Sequence, residues 1–159
     1  MNERVLVVED NAFNLEMLTD WLALRDYQVT SASTLSEAIA VIEKYPPHIV
    51  LLDVQLGAED GLSLTVWLRQ HRILCHTPVI AVTAHAMVTE QERMLQAGCN
   101  ACISKPIEFQ LLHDQLRKWL VIAAKMEPTD DPLVALPAAS SLQETKGGRH
   151  AQQNTRGRR

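Results

Sequence analysis

RVLVVED, residues 4–10, decides the fold: an aliphatic, valine-rich run leads directly into two carboxylates. A short, continuously apolar run that ends in polar residues is the pattern of a strand buried on both faces, as in parallel sheets. The same grammar returns three times. HIVLLD (48–53) ends in Asp53, PVIAVT (78–83) in Thr83, and ACISKP (101–106) in Lys105-Pro106. If these runs share one parallel sheet, all four endings emerge at its carboxyl edge, where open α/β folds place their chemistry. Glu9, Asp10 and Asp53 then crowd around one hydroxyl and one ammonium. Carboxylates so placed repel unless a cation sits among them, and a hard divalent ion such as Mg²⁺ takes a few carboxylates plus phosphate oxygens. The constellation points to metal-assisted phosphoryl chemistry on an aspartate.

Working outward from these runs, helix and strand patterns alternate from residue 3 to about residue 124, the order expected of βα units on a parallel sheet. Tyr27–Ser31 is a weaker strand suited to an edge. Ala101–Ser104 is short, and Pro106 stops it because proline has no amide to give a ladder. The first helix is predicted over 12–25, where Leu15, Leu18 and Leu22 recur at helical spacing. Thr34-Leu35-Ser36-Glu37 has the form of a capping box and opens the second, which ends before Pro46-Pro47. The third covers 62–71, and the fourth covers 87–97 with Gly98 as its stop. The fifth covers 108–123, with Leu111, Leu112, Leu116, Trp119 and Leu120 as an apolar stripe. The predicted fold is α/β: a five-stranded, parallel, doubly wound sheet of order 2-1-3-4-5, a flavodoxin-like (βα)5 architecture.

The chain of 159 residues has room for one compact domain and a remainder. Its net charge of −4 hides an asymmetry: residues 1–124 carry nine Lys/Arg against fifteen Asp/Glu, and residues 125–159 six against four. An acidic body argues against a nucleic-acid surface. No apolar run is long enough to cross a bilayer, and the N-terminus lacks a basic segment followed by a long apolar one, so no membrane association is expected. Three cysteines, an odd number, fit a reducing compartment, and the expected location is cytoplasmic. Beyond Met126 the sequence is rich in Pro, Ala, Ser, Gln, Gly and Arg without periodicity, so residues 125–159 are expected to form a disordered basic tail. A brief helical turn around Pro132–Ala139 is its only local signal, and Lys146, Arg149, Arg156, Arg158 and Arg159 read as solvated tail charges.

VLVVEDN, IVLLDVQL, PVIAVTA and ISKP occur in an order and spacing that resembles the receiver domain of two-component response regulators, over residues 3–124. TAHAM followed by AGCNACISKPI looks most like stand-alone receivers of the bacterial cell-division kind and receivers attached to hybrid kinases. The resemblance implies that Asp53 accepts a phosphoryl group from a phosphohistidine on a sensor histidine kinase or a histidine phosphotransfer protein. It implies Mg²⁺ held by Glu9, Asp10, Asp53 and the backbone carbonyl of Gln55. It also implies that Lys105 contacts one phosphoryl oxygen and that Thr83 binds another, drawing the following loop inward. A cis peptide at Lys105-Pro106 is a further implication. Output would pass through protein contacts or onward phosphotransfer, with intrinsic autodephosphorylation rather than metabolic catalysis, and without a fused effector domain. The downstream partner, the cognate kinase and the stimulus are not legible.

Taken singly, each residue has an ordinary structural explanation: Asp53 as a turn residue, Glu9-Asp10 as charges at a helix start, Thr83 as structural, Lys105 as solvated. Their conjunction on one sheet edge is what carries the reading. Two positions depart from the family pattern. Where many receivers have an aromatic ring three residues before the lysine, this chain has Cys102, which puts aromatic switching in doubt and keeps a constitutive pseudo-receiver as the alternative. Gly57 stands where a proline often follows, so the 56–60 loop is expected to be looser. His85, two after Thr83, either tunes water access to the site or is an exposed loop histidine. An aspartate phosphatase of D-x-D type would need a second Asp where Gln55 stands, and no glycine-rich P-loop follows the first strand. Cys99-Asn100-Ala101-Cys102 has C-x-x-C spacing but lacks a second pair for zinc, and Cys75-His76 reads as a loop coincidence.

Overall fold

The computed structural model describes residues 2–126. The expected strands form as β1 Arg4–Val8, β2 Gln28–Ala32, β3 Ile49–Asp53, β4 Val79–Thr83 and β5 Ala101–Ser104. They pair in parallel in the order β2-β1-β3-β4-β5, the predicted topology. The helices are α1 Ala12–Ala23, α2 Leu35–Lys44, α3 Leu62–Gln70, α4 Val88–Ala97 and α5 Phe109–Ala124. The order of strands reverses between β1 and β3, so the crevice beyond their carboxyl ends is the switch point of the sheet.

Strand alternation divides the core in two. Leu6, Val8, Val50 and Leu52 face Ala38 and Ile42 of α2, Leu64 and Leu68 of α3, and Met94 of α4. Val5, Val7, Ile49, Leu51 and Ile80 face Leu18 and Leu22 of α1 and Leu112 and Leu116 of α5. This explains the unbroken apolar runs in β1, β3 and β4: with helices on both sides, neither face of the central strands meets water. Of the predicted α5 stripe, Leu112, Leu116 and Leu120 are buried, but Leu111 is exposed and points away from the sheet.

Half of the expected capping box forms at α2: Thr34 Oγ1 accepts from the Glu37 amide at 3.1 Å, while the Glu37 carboxylate reaches one residue further back and accepts from the Ser33 amide at 2.8 Å. At α1 the N-cap is Asn11, whose side chain accepts from the Asn14 amide at 3.0 Å. Gly98, in the left-handed region at φ 106°, ends α4 as expected.

The segment after β3 is a further element. Gln55–Leu56 and Glu59–Asp60 pair as a two-stranded antiparallel hairpin, separate from the main sheet. Its turn contains Gly57 at φ 58°, a conformation closed to proline, whose ring fixes φ near −65°. Glycine here therefore builds a defined turn rather than simply loosening a loop. Gly61, which follows the hairpin, is required by close approach: a Cβ there would lie 2.3 Å from the Asp53 carbonyl oxygen.

Arg69 of α3 is the structural residue that the sequence patterns miss. Its guanidinium donates to Gly98 O at 3.1 and 2.8 Å, to Thr77 O at 2.7 Å, to Cys75 O at 3.1 Å and to Asn100 Oδ1 at 2.9 Å. Asn100 Oδ1 also accepts from the Val79 amide at 2.8 Å, so one cation ties α3 to the entry of β4 and the entry of β5. Neutralising a partly buried charge by deletion leaves those acceptors unmatched. Arg69→Met is expected to cost about 2–4 kcal/mol, read as a lower urea midpoint with an unchanged slope.

The predicted tail, its helical turn and its basic cluster lie outside the described residues. No helix among the described residues is long and apolar enough to cross a membrane.

Candidate functional site at the carboxyl edge of the sheet

Each expected site residue sits on a strand end or in the turn just beyond it. Glu9 continues β1 by one ladder bond, its amide donating to Ala32 O at 3.0 Å. Asp53 is the last residue of β3, and Thr83 the last of β4. Lys105 follows β5, and its amide donates to Thr83 O at 2.8 Å. The peptide to Pro106 is cis, as the resemblance implies.

Glu9, Asp10 and Asp53 each place one carboxylate oxygen within 4.8 Å of the others. Glu9 and Asp53 are buried, at 3% and 6% exposure, while Asp10 faces solvent. Lys105 Nζ reaches over β4 to donate to Asp53 Oδ2 at 3.1 Å and to Glu9 Oε2 at 3.4 Å. The other oxygens are also engaged: Asp53 Oδ1 accepts from the Gln55 amide at 3.0 Å, and Glu9 Oε1 from the Asn11 amide at 3.2 Å. One ammonium faces three carboxylates, so the cluster carries an excess of negative charge.

That excess shows in the protonation equilibria. Burial pushes the Glu9 carboxyl above its ordinary value, and the hydrogen bond and charge of Asp53 push it further, against the pull of Lys105 and the Asn11 amide. Burial works against the charge on Lys105, yet Asp53 and Glu9 outweigh it and hold the ammonium above its ordinary value. A carboxyl with a raised value binds its proton more tightly folded than unfolded, so ionising Glu9 lowers stability as the pH rises through its range. The ammonium follows the same sign at higher pH: its contribution is present through neutral pH and is lost as the pH rises through its own raised range. A small divalent cation bound by oxygen fits this donor set, which is all carboxylate, partly open to solvent and short of positive charge.

Thr83 is buried, but its hydroxyl does not touch the carboxylates. It donates to His85 O at 3.1 Å and accepts from the His85 amide at 3.0 Å, so the hydroxyl and the following loop are joined. His85 itself is exposed and lines a cleft of about 300 Å³ together with Gln55, Gly57, Asp60, Thr83 and Arg93. The cysteines stand apart from this chemistry. Burial pushes the Cys99 thiol to about 11, and its sulfur lies 3.6 Å from Thr65 Oγ1. A thiol so held is a poor nucleophile and metal ligand at neutral pH. Cys102 is half-buried in β5, so no ring occupies that position.

Sequence reasoning missed two contributors: Arg93 of α4, which pairs with Asp60, and Asn11, whose amide holds Glu9. Their signals were faint. Asn11 is legible as a cap residue after the acidic pair, whereas Arg93 becomes visible only when the hairpin brings Asp60 to it.

A doubly wound α/β sheet with a carboxylate cluster and a lysine at its switch point defines the class of protein. The response regulator receiver domain family matches residues 5–117, and the chain belongs to that family, within two-component signalling. Polar-differentiation response regulator DivK of Brucella ovis is 37% identical over 120 residues, covering 76% of this chain and 98% of that protein. DivK of Brucella anthropi is similar to the same extent, at 37% identity over 120 residues. Among solved structures, a CheY-like response regulator receiver domain protein from Methanospirillum hungatei superposes with a TM-score of 0.71 at 27% identity, covering 79% of this chain and 98% of that one.

Removing Lys105 isolates the role of its charge. Lys105→Met is expected to lower stability by up to about 3 kcal/mol at neutral pH, because two buried carboxylates lose their counterion. Urea unfolding over a series of falling pH checks the cause: the penalty shrinks as the pH enters the range, raised by burial, in which Glu9 takes up its proton.

Proposed function

We propose that residues 1–124 form a phosphorylation switch in which Asp53 accepts a phosphoryl group from a phosphohistidine of a sensor histidine kinase or a histidine phosphotransfer protein. The observation that carries this reading is the placement of three carboxylates within 4.8 Å of one another with the Lys105 ammonium on two of them, in a chain of the receiver family. In the transfer, a carboxylate oxygen of Asp53 forms the new O–P bond while the P–N bond to the donor imidazole breaks and the imidazole takes up a proton. Little covalent chemistry is required beyond in-line placement and charge neutralisation.

The chain's own residues supply most of that environment. Lys105 already lies against Asp53 and is placed to hold a phosphoryl oxygen. The Gln55 amide fixes the Asp53 carboxylate in orientation. Thr83, one strand over, offers the hydroxyl that would leave His85 for a phosphoryl oxygen and draw the loop with it. Glu9, Asp10, Asp53 and the Gln55 carbonyl would hold Mg²⁺, which supplies neutralising charge for the phosphoryl oxygens. Loss of the group by hydrolysis, and output through partners that prefer one state of the domain, complete the cycle.

Intact mass of wild type and Asp53→Asn after incubation with acetyl phosphate tests this, with and without Mg²⁺. The expected result is one phosphoryl adduct, dependent on Mg²⁺ and absent from Asp53→Asn. Thr83→Ala is expected to keep the adduct but lose the change in amide exchange over residues 83–86. No adduct in wild type under donor excess would favour the constitutive pseudo-receiver, for which the cysteine at 102 is the specific observation.

A further inference from the structure

The hairpin at 55–60 touches the acidic cluster at one end and three helices at the other. At the cluster, the Gln55 amide bonds Asp53, and a Cβ at Gly57 would lie 3.7 Å from Asp10 Oδ2. At the base, Glu59 Oε1 accepts from the Leu35 amide at 3.2 Å, at the start of α2. Asp60 Oδ1 accepts from the Leu62 amide at 3.0 Å, at the start of α3, and Asp60 Oδ2 pairs with Arg93 of α4.

The Arg93 contact matters because α4 is lightly held ahead of its C-terminal Gly98, whose carbonyl Arg69 fixes separately. Its N-cap, Met87, makes no side-chain capping bond, and Met94 is its one buried residue. Met87, Val88 and Leu95 are exposed. Among the described residues, Arg93 provides the side-chain hydrogen bond that joins the body of α4 to the hairpin. Glu90, one turn earlier, lies 3.4 Å from the same guanidinium and steadies it.

We propose that Arg93 is a positioning residue: through Asp60 it sets how the hairpin presents Gln55 to the carboxylate cluster, and by the same link carries the occupancy of that cluster to α4. The inference rests on the reading of the cluster as a Mg²⁺ and phosphoryl site and extends it to the residue that regulates it. An exposed ion pair of this kind has modest strength, which suits a link that must shift between two arrangements. Linkage makes the coupling reciprocal, so loosening α4 from the hairpin weakens the cluster as much as filling the cluster tightens α4.

The full-length chain carries the test, with Mg²⁺ binding by calorimetry and amide exchange over residues 88–97 with and without Mg²⁺ plus beryllofluoride. Asp60→Asn keeps the oxygen that caps α3 and removes the charge that meets Arg93. Arg93→Gln and Asp60→Asn are each expected to weaken Mg²⁺ binding about two- to fivefold and to abolish the exchange response of α4. The double variant is expected to add nothing further, and Arg93→Lys to restore part of both readouts. Unchanged melting temperatures separate positioning from a merely structural role. A wild type that binds and responds, with Arg93→Gln indistinguishable from it, overturns the link alone; additive effects of the two substitutions also overturn it. A wild type that neither binds Mg²⁺ nor responds overturns the reading of the cluster itself, and the link with it.

Discussion

The attraction between one ammonium and two buried carboxylates organises the functional edge of this protein. Lys105 leaves the end of β5, passes over β4 and meets Asp53 and Glu9 at the ends of β3 and β1. Four of the five strands therefore converge on one small volume, with Thr83 beneath the crossing. Burial makes the arrangement consequential: in water the same charges would interact weakly, whereas at the rim of the core each unbalanced charge is costly. The surplus of negative charge keeps the site receptive to cations, and the single lysine offsets part of it.

Much of this was legible in the sequence because it depends on periodicity and punctuation. Unbroken aliphatic runs mark the buried strands, and their polar endings place Glu9, Asp53, Thr83 and Lys105 on one edge. The capping box at Thr34 and the stop at Gly98 marked helix ends through local chemistry. What stayed hidden depends on tertiary placement. A hairpin of two residues per arm is too short to show alternation. Arg69 is one basic residue in a helix until the fold brings three carbonyls and an amide to its guanidinium. Leu111 fits the helical stripe by spacing, yet faces away from the sheet because the neighbouring Leu112 defines the buried line.

The site is built on rigid strand ends but is surrounded by elements of graded attachment. Glu9 and Asp53 sit on central strands with no exposed face. The loop after β4 is joined to the Thr83 hydroxyl by two bonds, so the hydroxyl has partners to give up when another acceptor or donor arrives. The body of helix α4 rests on one buried methionine and an ion pair, while its C-terminal Gly98 is held by Arg69. A rigid centre with a lightly fastened rim allows a small change of charge at the centre to alter the surface without disturbing the core.

Gly57 has a consequence for which side chains its turn can accept. The left-handed turn at that position accepts glycine readily and rejects proline outright. Placing proline at this one position would therefore break the turn instead of rigidifying it. A proline at this position would fit only if the turn from Gln55 to Asp60 were rebuilt around it, so the hairpin and its glycine stand or fall as one unit.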